Sequence, residues 1–431
     1  MMNSHEQEDI KKMKLESKLL ESQQKIYDVI LENTKVEGSP KLMMINGPAQ
    51  SGKTFLLKRL YEDFPNLNTK SMSGSVSYHQ AAQFFNGDVI HRMIHNSTTL
   101  QSCKILFLDS AHLINAETLG ELDVALREAN KTDEAFGGMT VIICGDFNQL
   151  PAFPNKKKQS LSIAKSKLFQ QFNVLHLEYD CQTEYTELLS KFRRINGMIE
   201  VPKRLFVNSE IELIKATFDE LSNPQNVIGR VILAPHVDTV VHINSIVIGL
   251  IKENSINLIS ENKLFNMNGS PENNRPDLLE INLKDIPRAK IELKAGCIIM
   301  LTENVNKVDL TKGTRLVFRS VEGESLLCNL LDDQDSQIQC IPKWTYLIDM
   351  KEHPYKLKRE QFPIEVGYAM TIHRVHSRHF KQVGIYNYDS AWANGQVYVA
   401  MSRCNTIDGI RLYSNGHNKE ENNYHILNKI E

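Results

Sequence analysis

Leu42-Met43-Met44-Ile45-Asn46-Gly47-Pro48-Ala49-Gln50-Ser51-Gly52-Lys53-Thr54-Phe55-Leu56-Leu57 decides how this chain folds. The first four residues are apolar without alternation, the pattern of a strand buried on both faces of a parallel sheet. The last three, continued by Lys58-Arg59-Leu60, read as helix. Between them Gly47 to Thr54 fits G-x-x-x-x-G-K-[ST], in the strand-then-helix context that a phosphate-binding loop requires. Its glycines let backbone N–H groups turn toward phosphate oxygens, the helix N-terminus adds partial positive charge, and Lys53 reaches the β- and γ-phosphates of ATP. The Thr54 hydroxyl is a ligand for Mg²⁺.

Two more such runs follow. Ile105 to Leu108 ends at Asp109, and Val141 to Cys144 ends at Gly145-Asp146, so the first half reads as α/β with a parallel sheet covered on both faces. A phosphate loop needs a second metal partner at the end of a neighbouring strand. Asp109 has that position and resembles the Walker B aspartate of nucleoside triphosphatases. Gln149, after Asp146, is placed to sense the γ-phosphate or orient water. Upstream, Leu20, Ile26, Tyr27, Ile30 and Leu31 fit an amphipathic helix from Leu19 to about Glu32. Downstream, Val231 to Pro235 reads as a buried strand and Val240 to Ile251 as helix, whereas 255–285, rich in Asn, Ser and Pro, reads as a loop excursion. Short segments around Leu316 and Leu326, separated by turn residues, predict a small antiparallel β unit, and the sheet pattern returns from Phe362 to Tyr413.

Composition bounds the rest. At about 150 residues per domain, 431 residues make roughly two to four domains. The apolar share of 41% and charged share of 24% are those of ordinary globular proteins. Lys plus Arg (50) against Asp plus Glu (52) leaves a net charge of −2, so nucleic acid must be met by a local groove rather than a global field. The seven cysteines contain no C-x-x-C pair, which argues against a disulfide framework or zinc ribbon and suits a reducing compartment. The charged N-terminus lacks the apolar core of a secretory signal. An intracellular protein without a membrane partner is expected.

Four segments together are more specific: Gly47 to Leu60, Phe136 to Phe153 (FGGMTVIICGDFNQLPAF), Phe362 to Arg374 (FPIEVGYAMTIHR) and Gly395 to Cys404 (GQVYVAMSRC). In order and spacing they resemble the motif set of the Pif-type (petite integration frequency) DNA helicases of superfamily one, with most likeness to the helicase region of Helitron transposons. That resemblance implies two RecA-like P-loop domains with parallel sheets and a small β-barrel-like insertion in the second. The expected division is a leader over 1–18, a first RecA-like domain over 19–172, a second over 173–310 and 361–413, an inserted β domain over 311–360 and a polar tail over 414–431. It further implies an ATP- and Mg²⁺-dependent helicase moving 5′-to-3′ on single-stranded DNA, with fork or overhang DNA as partner. A role in DNA repair, recombination or telomere maintenance, a nuclear location and a monomeric state would follow.

By matching motif, the resemblance gives adenine recognition to Gln23, with Gln24 equally placed by spacing. Gly47, Ala49, Gln50, Ser51, Gly52, Lys53 and Thr54 would bind the nucleotide, Thr54 and Asp109 the metal. Gln149 would couple the γ-phosphate to motion, and Arg403 would be the arginine finger, its planar fork meeting the transferring phosphoryl group. Nucleic-acid contacts would fall on His91, His373 and Arg374, with Phe84, Phe85 and Lys156 to Lys158 as weaker candidates.

Three positions depart from the family pattern. Ser110 stands where a Walker B Glu polarises water, Cys181 where an Arg supplies a second γ-phosphate contact, and Val375-His376-Ser377 where Ser-Gln-Gly is expected after the position of Arg374. A hydroxyl cannot replace a carboxylate as base, and losing a positioned base costs ~10²–10⁴-fold in rate. Weak turnover is therefore expected, as in a transposon-derived pseudo-helicase, unless Asp146, Glu178 or another carboxylate takes the role.

Overall fold

The computed structural model describes residues 18–35, 41–64, 69–73, 88–90, 94, 104–150, 162–221, 223–272, 275–283, 286–305, 310–333, 337–350, 353–376, 378–415 and 425–428. Residues 1–17 of the leader, His91, the Phe84–Phe85 pair, Cys103, the Lys156–Lys158 run and Ser377 lie outside them. The chain divides into two compact units between Arg194 and Ile195.

In the first unit, strands β1 (Leu42–Asn46), β2 (Thr69–Ser73), β3 (Asp88–Val89), β4 (Ile105–Asp109), β5 (Thr140–Gly145) and β6 (Asn173–His176) form one sheet in the order β3-β2-β4-β5-β1-β6. Every pairing is parallel. The unbroken apolar runs are explained by the two faces. Met43, Ile45, Phe107 and Ile142 pack with Ile26 and Ile30 of helix α1 (Glu21–Lys35) and with Leu56, Leu57 and Leu60 of α2 (Lys53–Asp63). The alternate residues Met44, Leu106, Leu108, Val141 and Ile143 pack on Leu119, Leu122 and Leu126 of α3 (Ala116–Asn130). Asn115 caps α3, its side-chain oxygen accepting from Thr118 N at 2.8 Å.

The unit closes with β6 and α4 (Glu184–Arg194). Sequence placed the domain boundary at 172/173, but β6 pairs in parallel with β1, Met44 opposite Val174, and so continues the first sheet. An edge strand of mixed burial carries no continuous apolar run, which is why the boundary read early.

The second unit is built on a four-stranded parallel sheet: β7 (Arg230–Ala234), β8 (Ala369–Thr371), β9 (Gln382–Tyr386) and β10 (Ile410–Tyr413), in the order β8-β7-β9-β10. Helices α5 (Glu210–Phe218) and α6 (Val237–Leu250) bury Leu213, Phe218, Ile243 and Val247 in its core, and α7 (Gln396–Met401) precedes the last strand. Asn244 ties α6 to the sheet, its amide donating to Val366 O at 2.9 Å and accepting from Ala369 N at 2.8 Å.

Between β7 and β8 the chain makes a β excursion wider than the 311–360 unit read from sequence. The 315–322 and 325–330 strands pair in a five-stranded sheet that also takes 298–301 and 364–366. The 344–350 and 355–361 strands pair instead with 261–266 and 271–272. The stretch 255–285 thus contains strands at Ser255–Ile259 and Glu261–Asn266 rather than loop alone. Arg359 holds it: wholly buried, its guanidinium donates to Asn262 Oδ1 at 2.9 Å and to the carbonyls of Leu279 (3.0 Å), Ile281 (2.9 Å) and Pro287 (3.2 Å). In the polar tail, His425–Asn428 is a strand antiparallel to Gly197–Glu200, with Ile426 buried. Among the described residues no helix is long and apolar enough to cross a membrane.

Candidate nucleotide site

At the carboxyl end of β1 the chain turns through the phosphate loop. Gly47 N donates to Gly145 O at 3.3 Å, fastening the loop to the end of β5. Gln50 (φ 65°) and Gly52 (φ 82°) adopt left-handed backbone, the geometry that gathers successive N–H groups on one side. The Lys53 ammonium folds back on this loop and donates to Gly47 O at 2.8 Å and Pro48 O at 2.6 Å. Burial takes its pKa below the ordinary lysine value, while the charges of Asp146, Cys144 and Asp109 oppose the fall. Thr54 Oγ1 donates to Asp109 Oδ2 at 3.1 Å, so the two metal-ligand candidates stand together.

Asp109 Oδ1 accepts from Ser110 N at 2.7 Å and from the Cys144 thiol at 2.8 Å. Burial, then the Asp109 charge, pushes that thiol well above its ordinary pKa. Ser110 is 5% exposed and left-handed (φ 57°), so a short hydroxyl occupies the position next to the carboxylate. Asp146 is fully buried, and its Oδ1 accepts from Arg193 Nε at 3.1 Å and Asn148 N at 3.3 Å. Buried Gln149 follows on the same turn, its N–H donating to Asp146 O at 3.0 Å.

On the other side of the loop, the structure separates the two glutamines that spacing left open. Gln23 is buried, donates from Nε2 to Ser51 O at 3.1 Å and accepts from Leu20 N at 3.1 Å. Gln24 points outward and bonds Asp28 at 2.8 Å. Tyr179 Oη donates to Ala49 O at 2.8 Å, and Gln50 Nε2 donates to Tyr185 Oη at 3.2 Å. Ser51 Oγ donates to Pro48 O at 2.9 Å. Beside the loop lies a cavity of about 510 Å³ whose walls include Asn46, Pro48, Glu178, Gln182 and Arg193. Cys181 is exposed.

In the second unit Arg403 is 3% exposed, its guanidinium donating to Ser402 Oγ at 2.9 Å and to the carbonyls of Val399 (3.2 Å) and Val375 (3.4 Å). His373 stacks on Trp392 at 5.1 Å between ring centroids, and Trp392 is 54% exposed. Arg374 pairs with Glu365. Lys53, Thr54, Asp109 and Gln149 are thus gathered in the first unit, and Arg403, His373 and Arg374 sit on the second. Sequence reading missed Cys144, Tyr179, Arg193 and Trp392. Only the position of Cys144, two residues before Asp146 at the end of a strand neighbouring Asp109, offered a signal.

The fold and this loop define a P-loop protein of the RecA-like class. Residues 76–194 match the model of the PIF1-like helicase family. The ATP-dependent DNA helicase PIF1 of Danio rerio is 25% identical over 412 residues, covering 87% of this chain and 58% of that protein. This chain therefore spans less than two thirds of that relative. Bacteroides Pif1 bound to single-stranded DNA superposes with a TM-score of 0.64 at 20% identity, covering 92% of each chain. The same helicase in complex with ADP-AlF3 and single-stranded DNA gives 0.63 at 19%, again covering 92% of each. Over these stretches the chain is similar to PIF1-like helicases.

Proposed function

We propose that the chain is an ATP-dependent DNA helicase that moves on single-stranded DNA, with 5′-to-3′ polarity. One observation carries the nucleotide reading: Thr54 Oγ1 and Asp109 Oδ2 stand 3.1 Å apart at the base of a loop whose lysine lies on its own carbonyls. A hydroxyl and a single carboxylate make a hard, all-oxygen donor pair, which suits Mg²⁺ completed by phosphates and water. The metal, when bound, neutralises charge on the phosphates. Lys53 would exchange the Gly47 and Pro48 carbonyls for phosphate oxygens, and Gln23 would set the loop against the base. Gln149 would report the γ-phosphate to Asp146 and the turn that carries them. Arg403 is proposed as the arginine finger. The exposed Trp392, stacked on His373, supports base contact in the second unit, since bases stack on aromatic faces regardless of sequence.

A second reading has its own observation. With Ser110 in place of a carboxylate, the chain would bind ATP and DNA with little hydrolysis. Phosphate release with and without single-stranded DNA separates the two: rapid DNA-stimulated turnover abolished by Lys53→Ala supports an active helicase. Binding of both ligands without turnover supports the second reading, and strand displacement from tailed duplexes of either polarity tests direction.

A further inference from the structure

We infer that Arg193 is a γ-phosphate contact supplied from within the first unit, parked on Asp146 until a triphosphate arrives and taking the part that Cys181 leaves open. The inference rests on the nucleotide reading above. Its starting point is a chain of contacts running from α4 to the phosphate loop. Arg193 Nε donates to Asp146 Oδ1 at 3.1 Å, and Arg193 O accepts from Asn148 Nδ2 at 2.8 Å, so the end of α4 is tied twice to the turn after β5. That turn is fastened to the loop, Gly47 N donating to Gly145 O at 3.3 Å, and Lys53 Nζ lies 2.8 Å from the Gly47 carbonyl. Arg193 thus holds a buried carboxylate on the turn that is fastened to the phosphate loop.

An arriving γ-phosphate offers the guanidinium a second anion. The Arg193 side chain is 17% exposed and forms part of the wall of the 510 Å³ cavity that also touches Asn46 and Pro48 of the loop. The buried Asp146 carboxylate keeps the Asn148 N–H at 3.3 Å as a donor, and on moving to a phosphate the guanidinium is never unpaired. Its planar fork suits phosphate oxygens as it suits carboxylate. The exposed Cys181 offers no comparable donor.

The test compares Mg²⁺-dependent binding of fluorescent ADP and a fluorescent nonhydrolysable ATP analogue to the native chain, Arg193→Gln, Arg193→Lys and Asp146→Asn. Arg193→Gln is expected to lose about tenfold or more in affinity for the triphosphate, the size of a charge-assisted hydrogen bond, with ADP within about twofold of native. Arg193→Lys should recover part of the loss, and Asp146→Asn, which frees the guanidinium, should raise the preference for triphosphate over diphosphate. Equal losses for both nucleotides, or an unchanged preference in Arg193→Gln, overturn the inference. Should Arg193→Gln fail to fold, Asp146→Asn decides: a raised preference supports the inference and an unchanged or lowered one overturns it. A native chain that binds neither nucleotide removes the nucleotide reading itself, a result distinct from an Arg193 variant that binds both as the native chain does.

Discussion

Ser110→Glu restores a carboxylate beside Asp109. The backbone there is already left-handed (φ 57°) with a non-glycine residue, so the substitution adds little conformational strain. Its cost is electrostatic: a second carboxylate enters a site 5% exposed, next to Asp109. A penalty of about 1–3 kcal/mol is expected, or a few degrees in melting temperature for a unit of this size. Against it stands a positioned base, worth ~10²–10⁴-fold in rate. Phosphate release at saturating ATP with single-stranded DNA should therefore rise by that factor over the native chain. Lys53→Ala combined with Ser110→Glu should show none of the gain. A Ser110→Glu protein that is folded, binds nucleotide as the native chain does and turns over no faster would refute the reasoning.

Gly52→Ala places a Cβ 2.2 Å from Gln23 Nε2 at a residue with φ 82°, so nucleotide affinity and about 1–2 kcal/mol of stability should be lost, read by titration and thermal melting. The Cys144 thiol, raised by burial and by Asp109, should resist maleimide at pH 8 while the exposed Cys181 and Cys340 react, as mass spectrometry of the labelled peptides would show. Because the folded chain keeps that proton longer than the unfolded one, the contribution of Cys144 is complete below the ordinary thiol pKa of 9.0. It declines as pH rises past that value, and a Cys144→Ala variant should lose this slope in denaturant titrations. Arg359→Leu strands one amide oxygen and three backbone carbonyls and should destabilise the second unit by about 2–4 kcal/mol in urea, leaving nucleotide binding by the first unit in place.

Legibility in the sequence followed burial. β1, β4 and β5 announced themselves because both their faces are covered, which leaves no room for polar residues, and the glycine-rich loop at the end of β1 placed the site. β6 lies at the sheet edge with Asn173 and His176 exposed, and the same rule that revealed the central strands hid it. The β excursion was half legible. Its hairpin at 315–330 carried turn and alternation signals, whereas the strand at 261–266 depends on a partner about a hundred residues away and on Arg359, a charged residue that reads as surface until four oxygens are found around it. At the site, motif spacing brought Lys53, Thr54 and Asp109 together but left Gln23 and Gln24 unresolved, because they differ only in which face of α1 they occupy. Arg193 meets Asp146 through a tertiary contact that no local pattern encodes.

Binding of a nonhydrolysable ATP analogue, measured by calorimetry with and without Mg²⁺, tests the central claim most directly. The native chain should take up one equivalent with Mg²⁺, and Lys53→Ala should lose most of that affinity while melting as the native chain does. No uptake by the native chain, or equal uptake by a folded Lys53→Ala protein, would contradict a site in which this loop and its lysine hold the phosphates.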